Sequence, residues 1–258
     1  MTAIRETFEE TGILLASRKP KSQVPGLMEE ALGKARRSIH AQKLLFTKFL
    51  SDNGLEPDIG SLLPFTEWVT PPPVPRRFRA QFFVTFLPIA SALSGPTSGT
   101  HLNRLPSPDS PDSPTSTSTE VISAQYIHPR AVLTAFARGD MKLMPPQFYL
   151  LTTLNEIFSG AGAEVSTAAQ RQLVQRLAHS SFGQMVINPR YLPGPEGELP
   201  DGRRVLTYEG DESRGGKKGR LHRAIIKPQK GTHLPAELIL IRNFDIFTEM
   251  GEPPSSKL

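Results

Sequence analysis

The sequence has no cysteine among its 258 residues. Disulfides, zinc–thiolate sites and thiol nucleophiles are therefore excluded, and the redox compartment goes unread. Long hydrophobic runs are lacking too. The most apolar stretch, FFVTFLPIASAL from Phe82 to Leu93, is too short to cross a bilayer and is interrupted by Pro88, so it reads as a buried strand and no membrane span is expected. The opening MTAIRETFEETG is charged and helical where a secretory signal would be apolar. Neither sign of charge dominates. A net charge of +5 favours anionic ligands without choosing among phosphates, nucleotides and nucleic acid.

What is present in excess is proline, with 25 residues, which points to irregular stretches beside a folded part. The length allows one sizeable domain or two small ones. Residues Ala3 to Thr11 have the spacing of a short helix, with Ile4 and Phe8 on one face and Gly12 at the left-handed cap position. Ile13 to Ala16 would then enter the core. Leu27 to Ser51 is helical in spacing, with Leu32, Ala35, Ile39, Leu44, Leu45 and Phe49 as the buried positions, and Asn53-Gly54 ends it. Leu62 to Val69 and Arg79 to Phe86 read as strands of one sheet, joined by the PPPVPRR loop.

From Ser94 to Thr119 almost nothing can be buried and proline recurs, which reads as a disordered Pro/Ser-rich insertion. A strand is expected from Glu120 through VISAQYIHP, then helices over Arg130 to Arg138, Pro146 to Phe158 and Ser166 to His179. The segments VLTYEG, RLHRAIIK and ELILIRNFDIF read as a β meander. No internal repeat is visible. The pattern implies a single α+β domain carrying a loose insertion.

Three carboxylates crowd the first helix. Glu6, Glu9 and Glu10 fall at i, i+3 and i+4 and repel one another unless a cation sits among them. A hard divalent ion such as magnesium takes carboxylate oxygens and keeps positions for water and substrate phosphates. Such a site suits attack on a diphosphate, with Arg5 able to hold a glutamate through charge-assisted hydrogen bonds. The alternative is a solvated surface helix in which Arg5 and Glu9 form an ordinary i, i+4 pair. The order of residues bears on the choice. R-E-x-x-E-E-x-G followed by an apolar residue arises by chance in a chain of this length about once in ten thousand.

The string from Arg5 through Glu6, Thr7, Phe8, Glu9, Glu10, Thr11 and Gly12 to Ile13 resembles the second half of the Nudix box, G-x5-E-x7-R-E-U-x-E-E-x-G-U. Thr7 stands where the family prefers an aliphatic residue. The resemblance implies that Glu9 and Glu10 bind Mg2+ or Mn2+, that Glu6 is a further ligand or the base that activates water, and that Arg5 orients it. It also implies a Nudix-type α/β/α sandwich with a mixed sheet. The box's first glycine and glutamate would lie before Met1, so the N-terminal strands are expected to be missing from this chain, leaving residues 1–258 as one incomplete domain.

Phe65 to Val84, Val121 to Phe136 and Met144 to Leu154 resemble, in order and spacing, the motif 19 type of Nudix coenzyme A diphosphatase. That branch implies a coenzyme A or acyl-coenzyme A substrate, cleaved to an (acyl-)4′-phosphopantetheine and adenosine 3′,5′-bisphosphate. Alternatives are a Nudix hydrolase for another nucleoside diphosphate derivative, such as NADH, a dinucleotide or a nucleotide sugar, and a catalytically inactive truncated fragment.

The chain ends Ser256-Lys257-Leu258, a peroxisomal address read by an import receptor at a free carboxyl terminus, and residues 250–258 form a suitably loose tail. Arg76, Arg77 and Arg79 beside Phe78 are candidate substrate contacts, weighed evenly against an edge-strand charge cluster. The basic run RGGKKGRLHR, Arg214 to Arg223, reads as a solvated hairpin loop. It has no interleaved aromatic platform, and nucleic acid is not an expected partner. The six histidines show no ligand spacing and suit ordinary surface or core roles. Glu120 is a strand-start charge or, alternatively, a late catalytic carboxylate.

Overall fold

A computed structural model describes residues 1–20, 27–72, 76–87, 127–159, 166–229, 231–232 and 234–249. The expectations for residues 94–119, for Glu120 and the strand VISAQY after it, and for residues 250–258 lie outside these. The chain divides into two compact units. The first comprises Met1–Leu62 with Thr85–Tyr126, and the second Leu63–Val84 with Ile127–Leu258.

In the first unit, helix α1 (Thr2–Thr11) buries Ile4 and Phe8 and closes at Gly12, whose φ of 78° is the left-handed value the sequence calls for. Ile13, Leu14 and Leu15 follow it into the core. Strand β1 (Ala16–Arg18) pairs antiparallel with β2 (Leu55–Pro57). The helical stretch expected from Leu27 to Ser51 is two helices, α2 (Glu29–His40) and α3 (Phe46–Asp52). The break is a Schellman closure. Gln42 takes φ 56°, its N–H reaches the Ile39 carbonyl at 2.9 Å, and the Lys43 N–H reaches the Ser38 carbonyl at 2.8 Å. The phase of the second helix is thereby reset, and Leu45, expected in the core, is left 72% exposed at the N-cap of α3. Phe8, Phe46 and Phe49 fill the space between the helices, with Phe8 and Phe49 stacked at 5.7 Å.

In the second unit, β3 (Leu63–Val69) lies between β4 (Arg79–Val84), antiparallel to it, and β5 (Val186–Ile187), parallel to it. β3 and β4 thus share a sheet as expected, but among the described residues β4 lies at the edge of that sheet, with Ala80, Gln81 and Phe83 exposed. The reading of Phe82 to Leu93 as a buried strand is corrected over residues 82–87, where β4 ends at Val84 and no side chain is fully buried, because among the described residues β4 has a neighbour on one edge alone; residues 88–93 lie outside the described residues. A bulge between Pro64 and Glu67 turns Thr66 to φ 70°, where its hydroxyl accepts from the Trp68 indole at 2.9 Å.

Helices α4 (Pro129–Arg138), α5 (Pro145–Ser159) and α6 (Thr167–Ala178) fall where their spacing places them, with prolines in the first turns of α4 and α5 and Ser166 capping α6. Pro129 begins α4, so the strand expected through Ile127 and His128 does not extend to it. Strands β6 (Arg190–Tyr191), β7 (Arg204–Thr207), β8 (His222–Pro228) and β9 (Pro235–Arg242) form an antiparallel meander in that order. ELILIRNFDIF is strand only as far as Arg242. The Asp245 carboxylate then accepts from the Phe247 N–H and starts a short helix, α7 (Ile246–Glu249). Helices and mixed parallel and antiparallel sheet together make this an α+β protein. The core of the unit is aromatic, with Trp68, Tyr149 and Tyr208 meeting edge to face at 5.4–5.8 Å and Phe65 against Phe182 at 4.8 Å.

Candidate functional site

The acidic helix owes its setting to its apolar face. With Ile4 and Phe8 fully buried, helical geometry fixes where the intervening side chains emerge. Arg5 reaches forward along the helix to two of the three carboxylates. It forms an ion pair with Glu6 and donates through Nη1 to Glu9 Oε1 at 3.2 Å. The Glu9 side chain is only 8% exposed, against 44% for Glu6, so the shared guanidinium compensates a carboxylate with little access to water. Glu10 is exposed. Thr7 is accommodated by donating its hydroxyl to the Ala3 carbonyl at 2.8 Å, which satisfies a polar side chain where an aliphatic one was expected.

The other end of the helix is held from outside it. Gly12 N–H satisfies the Phe8 carbonyl at 3.0 Å. The next two carbonyls are taken by Arg36 of α2, which donates Nε to Glu9 O at 2.7 Å and Nη2 to Glu10 O at 2.5 Å. Burial lowers the pKa of that guanidinium from its usual value. Sequence reasoning missed Arg36, because nothing in its own helix distinguishes it from Arg37 beside it.

The acidic helix offers a hard divalent cation donors of the right chemistry, carboxylate oxygens within two turns of one helix. The donor count is smaller than the resemblance implies. Glu6 and Glu9 share Arg5, and among the described residues no group of three or more histidine, cysteine, aspartate or glutamate side chains is arranged around one point.

Arg76, Arg77 and Arg79 belong to the second unit. All three are exposed, but two are engaged at their own hairpin: Arg79 pairs with Glu67 across the strands, and Arg77 Nε donates to the Thr70 carbonyl at 3.2 Å. The run from Arg214 to Arg223 is not the solvated loop expected. Arg214 binds Glu209 at 2.5 Å and also the carbonyls of Asn188 and Thr207, while Arg223 makes a two-pronged contact with the fully buried Asp211 at 2.8 Å. Lys217 and Lys218 are the part of that run left in water.

This run ends in a buried polar network. His222 is fully buried, with Nδ1 on the Glu209 carbonyl at 2.7 Å and Nε2 on the Tyr149 hydroxyl at 2.9 Å. Burial pulls its pKa down to about 4, against the opposing pull of the Glu209 carbonyl. For Asp211, burial acts upward, but bonds from Arg223, from Ser213 and from the His222 N–H overcome it and hold the carboxyl at about 2. Elsewhere, an open concavity of about 440 Å³ runs along α4, lined by residues that include His128, Arg130, Arg138 and Asp140. Among the described residues no helix is long and apolar enough to cross a membrane.

Comparison with known proteins gives a consistent picture. A family profile described as the NUDT19 Nudix domain matches residues 1–154. A chicken (Gallus gallus) protein named acyl-coenzyme A diphosphatase NUDT19 is 27% identical over 236 residues, which is 81% of this chain and 56% of the relative. A Xenopus laevis protein of the same name is 27% identical over 164 residues, 59% of this chain and 38% of the relative. The chain thus spans about half the length or less of these curated relatives. No solved structure matches.

Proposed function

Because the chain belongs to the NUDT19 Nudix family, we propose that it hydrolyses the diphosphate bond of coenzyme A or an acyl-coenzyme A, releasing an (acyl-)4′-phosphopantetheine and adenosine 3′,5′-bisphosphate. The observation that carries this reading is the joint hold of Arg5 on Glu6 and Glu9, in a helix closed by Gly12 and lying within the matched region. The names of the two relatives support the substrate class. The finer architecture that goes with it is the Nudix α/β/α sandwich.

Nudix hydrolases generally use divalent metal ions. In this chain Glu6, Glu9 and Glu10 would hold Mg2+ or Mn2+. When bound, such an ion neutralises phosphoryl oxygens and makes a water more acidic. Arg5 keeps Glu6 and Glu9 in fixed rotamers, and a Glu6 carboxylate oxygen takes the proton from the attacking water. Gly12 ends the helix so that Ile13 to Leu15 can enter the core and anchor it. The terminal Ser256-Lys257-Leu258, read by an import receptor, would direct the chain to peroxisomes.

The test is product analysis. The purified chain is incubated with coenzyme A, an acyl-coenzyme A and NADH, with Mg2+ or Mn2+ and with a chelator. Metal-dependent appearance of adenosine 3′,5′-bisphosphate from the coenzyme A substrates supports the reading, whereas turnover of NADH alone points to another nucleoside diphosphate derivative. A second reading, of a chain that does not turn over, draws on one observation: among the described residues no three-ligand group is assembled. No product under any metal condition favours it. Imaging the chain with and without its last three residues tests the location separately.

A further inference from the structure

We propose that Arg36 is the positioning residue of the acidic helix, clamping the turn from which Glu9 and Glu10 project; the inference rests on the reading of that helix as a metal-holding element. A helix leaves its last carbonyls without intrahelical partners, and in α1 the glycine cap satisfies only the one at Phe8. Arg36 takes the two that follow. Its Nε and Nη2 lie along one edge of a planar guanidinium, and they meet Glu9 O at 2.7 Å and Glu10 O at 2.5 Å. A planar fork across two successive peptide groups fixes direction as well as distance, which a single ammonium cannot do.

The base of the clamp is firm. Ala35 and Ile39, flanking Arg36 on α2, are buried in the same core as Ile4 and Phe8 of α1. The core therefore sets the spacing of the two helices, and the fork sets the rotation of the last turn. The positive charge also stands at the negative end of the helix dipole, next to two glutamates that repel each other. At the amino end of the acidic cluster Arg5 holds side-chain oxygens, and at the carboxyl end Arg36 holds backbone oxygens. The two arginines thus divide the work. One sets the rotamers, and the other sets the backbone from which they start.

The experiment uses the full chain with Arg36→Met, which keeps much of the apolar stem, and Arg36→Lys, which keeps the charge without the fork. Two quantities are read. The first needs no metal: hydrogen exchange at the Gly12 amide, which is bonded to Phe8 O. Exchange is expected to be roughly tenfold faster in both variants, with amides in the second unit unchanged. The second is Mn2+ affinity by calorimetry, expected to weaken roughly tenfold in Arg36→Met and less in Arg36→Lys. Unchanged exchange in both variants overturns the clamp, whatever the metal data. Arg36→Lys matching the parent on both readouts overturns the need for a fork. A parent chain that takes up no Mn2+ overturns the metal reading of the helix and with it the consequence drawn for affinity, while the exchange result still decides whether Arg36 holds the turn. Should Arg36→Met fail to fold, Arg36→Lys alone carries both comparisons.

Discussion

Tyr149 of α5 donates its hydroxyl hydrogen to Nε2 of His222 on β8 across 2.9 Å of buried core. The direction follows from the other ring nitrogen. Nδ1 faces the Glu209 carbonyl, which can only accept, so Nδ1 carries the proton and Nε2 is left as the acceptor. Both nitrogens are satisfied in the neutral ring. A second proton on Nε2 would reverse the Tyr149 bond, so that the hydroxyl accepts, and would place a buried cation near Arg242 and Arg220, which Asp211 offsets only in part.

A pH dependence follows. The folded pKa of about 4 lies below the ordinary value of 6.5, so the unfolded chain binds the extra proton first. The stabilisation is fully present above pH 6.5 and is lost as pH falls towards 4, by up to about 3 kcal/mol. Urea unfolding of the parent between pH 7 and pH 4 should show that slope, and His222→Gln should flatten it while lowering stability at pH 7.

Asp211 acts in the same direction at lower pH. Its carboxyl is held at about 2, below the ordinary 3.8, so its contribution is present above 3.8 and fades as pH falls towards 2. Asp211→Asn leaves Arg223 without its buried partner and should cost about 3–5 kcal/mol, read as a lower urea midpoint at neutral pH.

Gln42 marks a place where backbone conformation and residue type disagree. A side chain at φ 56° is strained, whereas glycine adopts that angle freely. Gln42→Gly should therefore stabilise the chain by about 1 kcal/mol, measured as a raised melting temperature.

The same residue explains what could not be read from the sequence. Helix α1 was legible because its signals are local: Ile4 and Phe8 at i, i+4 and a glycine at the cap. The end of α2 was not, because the left-handed position is filled by glutamine, and Leu45 was then assigned to the wrong phase. The exposure of β4 depends on which strands flank it, a tertiary fact invisible in FFVTF. In the candidate site, the order of Arg5, Glu6, Glu9 and Glu10 was visible as a string, whereas Arg36 reaches it through packing of α2 on α1. Arg214 and Arg223 read as solvated because their partners, Glu209 and Asp211, lie outside the basic run.

For the proposed reaction, Glu9→Gln and Glu10→Gln remove a charge from the acidic helix with little change in shape. Release of adenosine 3′,5′-bisphosphate should fall by more than roughly tenfold in each, with Mn2+ uptake weakened in parallel. Equal turnover by parent and variants would remove these glutamates from the mechanism.

The parallel pairing of β3 with β5 sets an order of events during synthesis. β3 can close its hairpin with β4 soon after leaving the ribosome, but its other edge must wait until the segment around Val186 has been made. Meanwhile helices α1, α2 and α3, with β1 and β2, draw most of their core from residues 4–55, with Leu87 packed against it from further along, and can begin to consolidate early. The nascent chain thus carries an early-forming helical cluster beside a half-completed sheet whose β3 edge is shielded only once the segment around Val186 arrives.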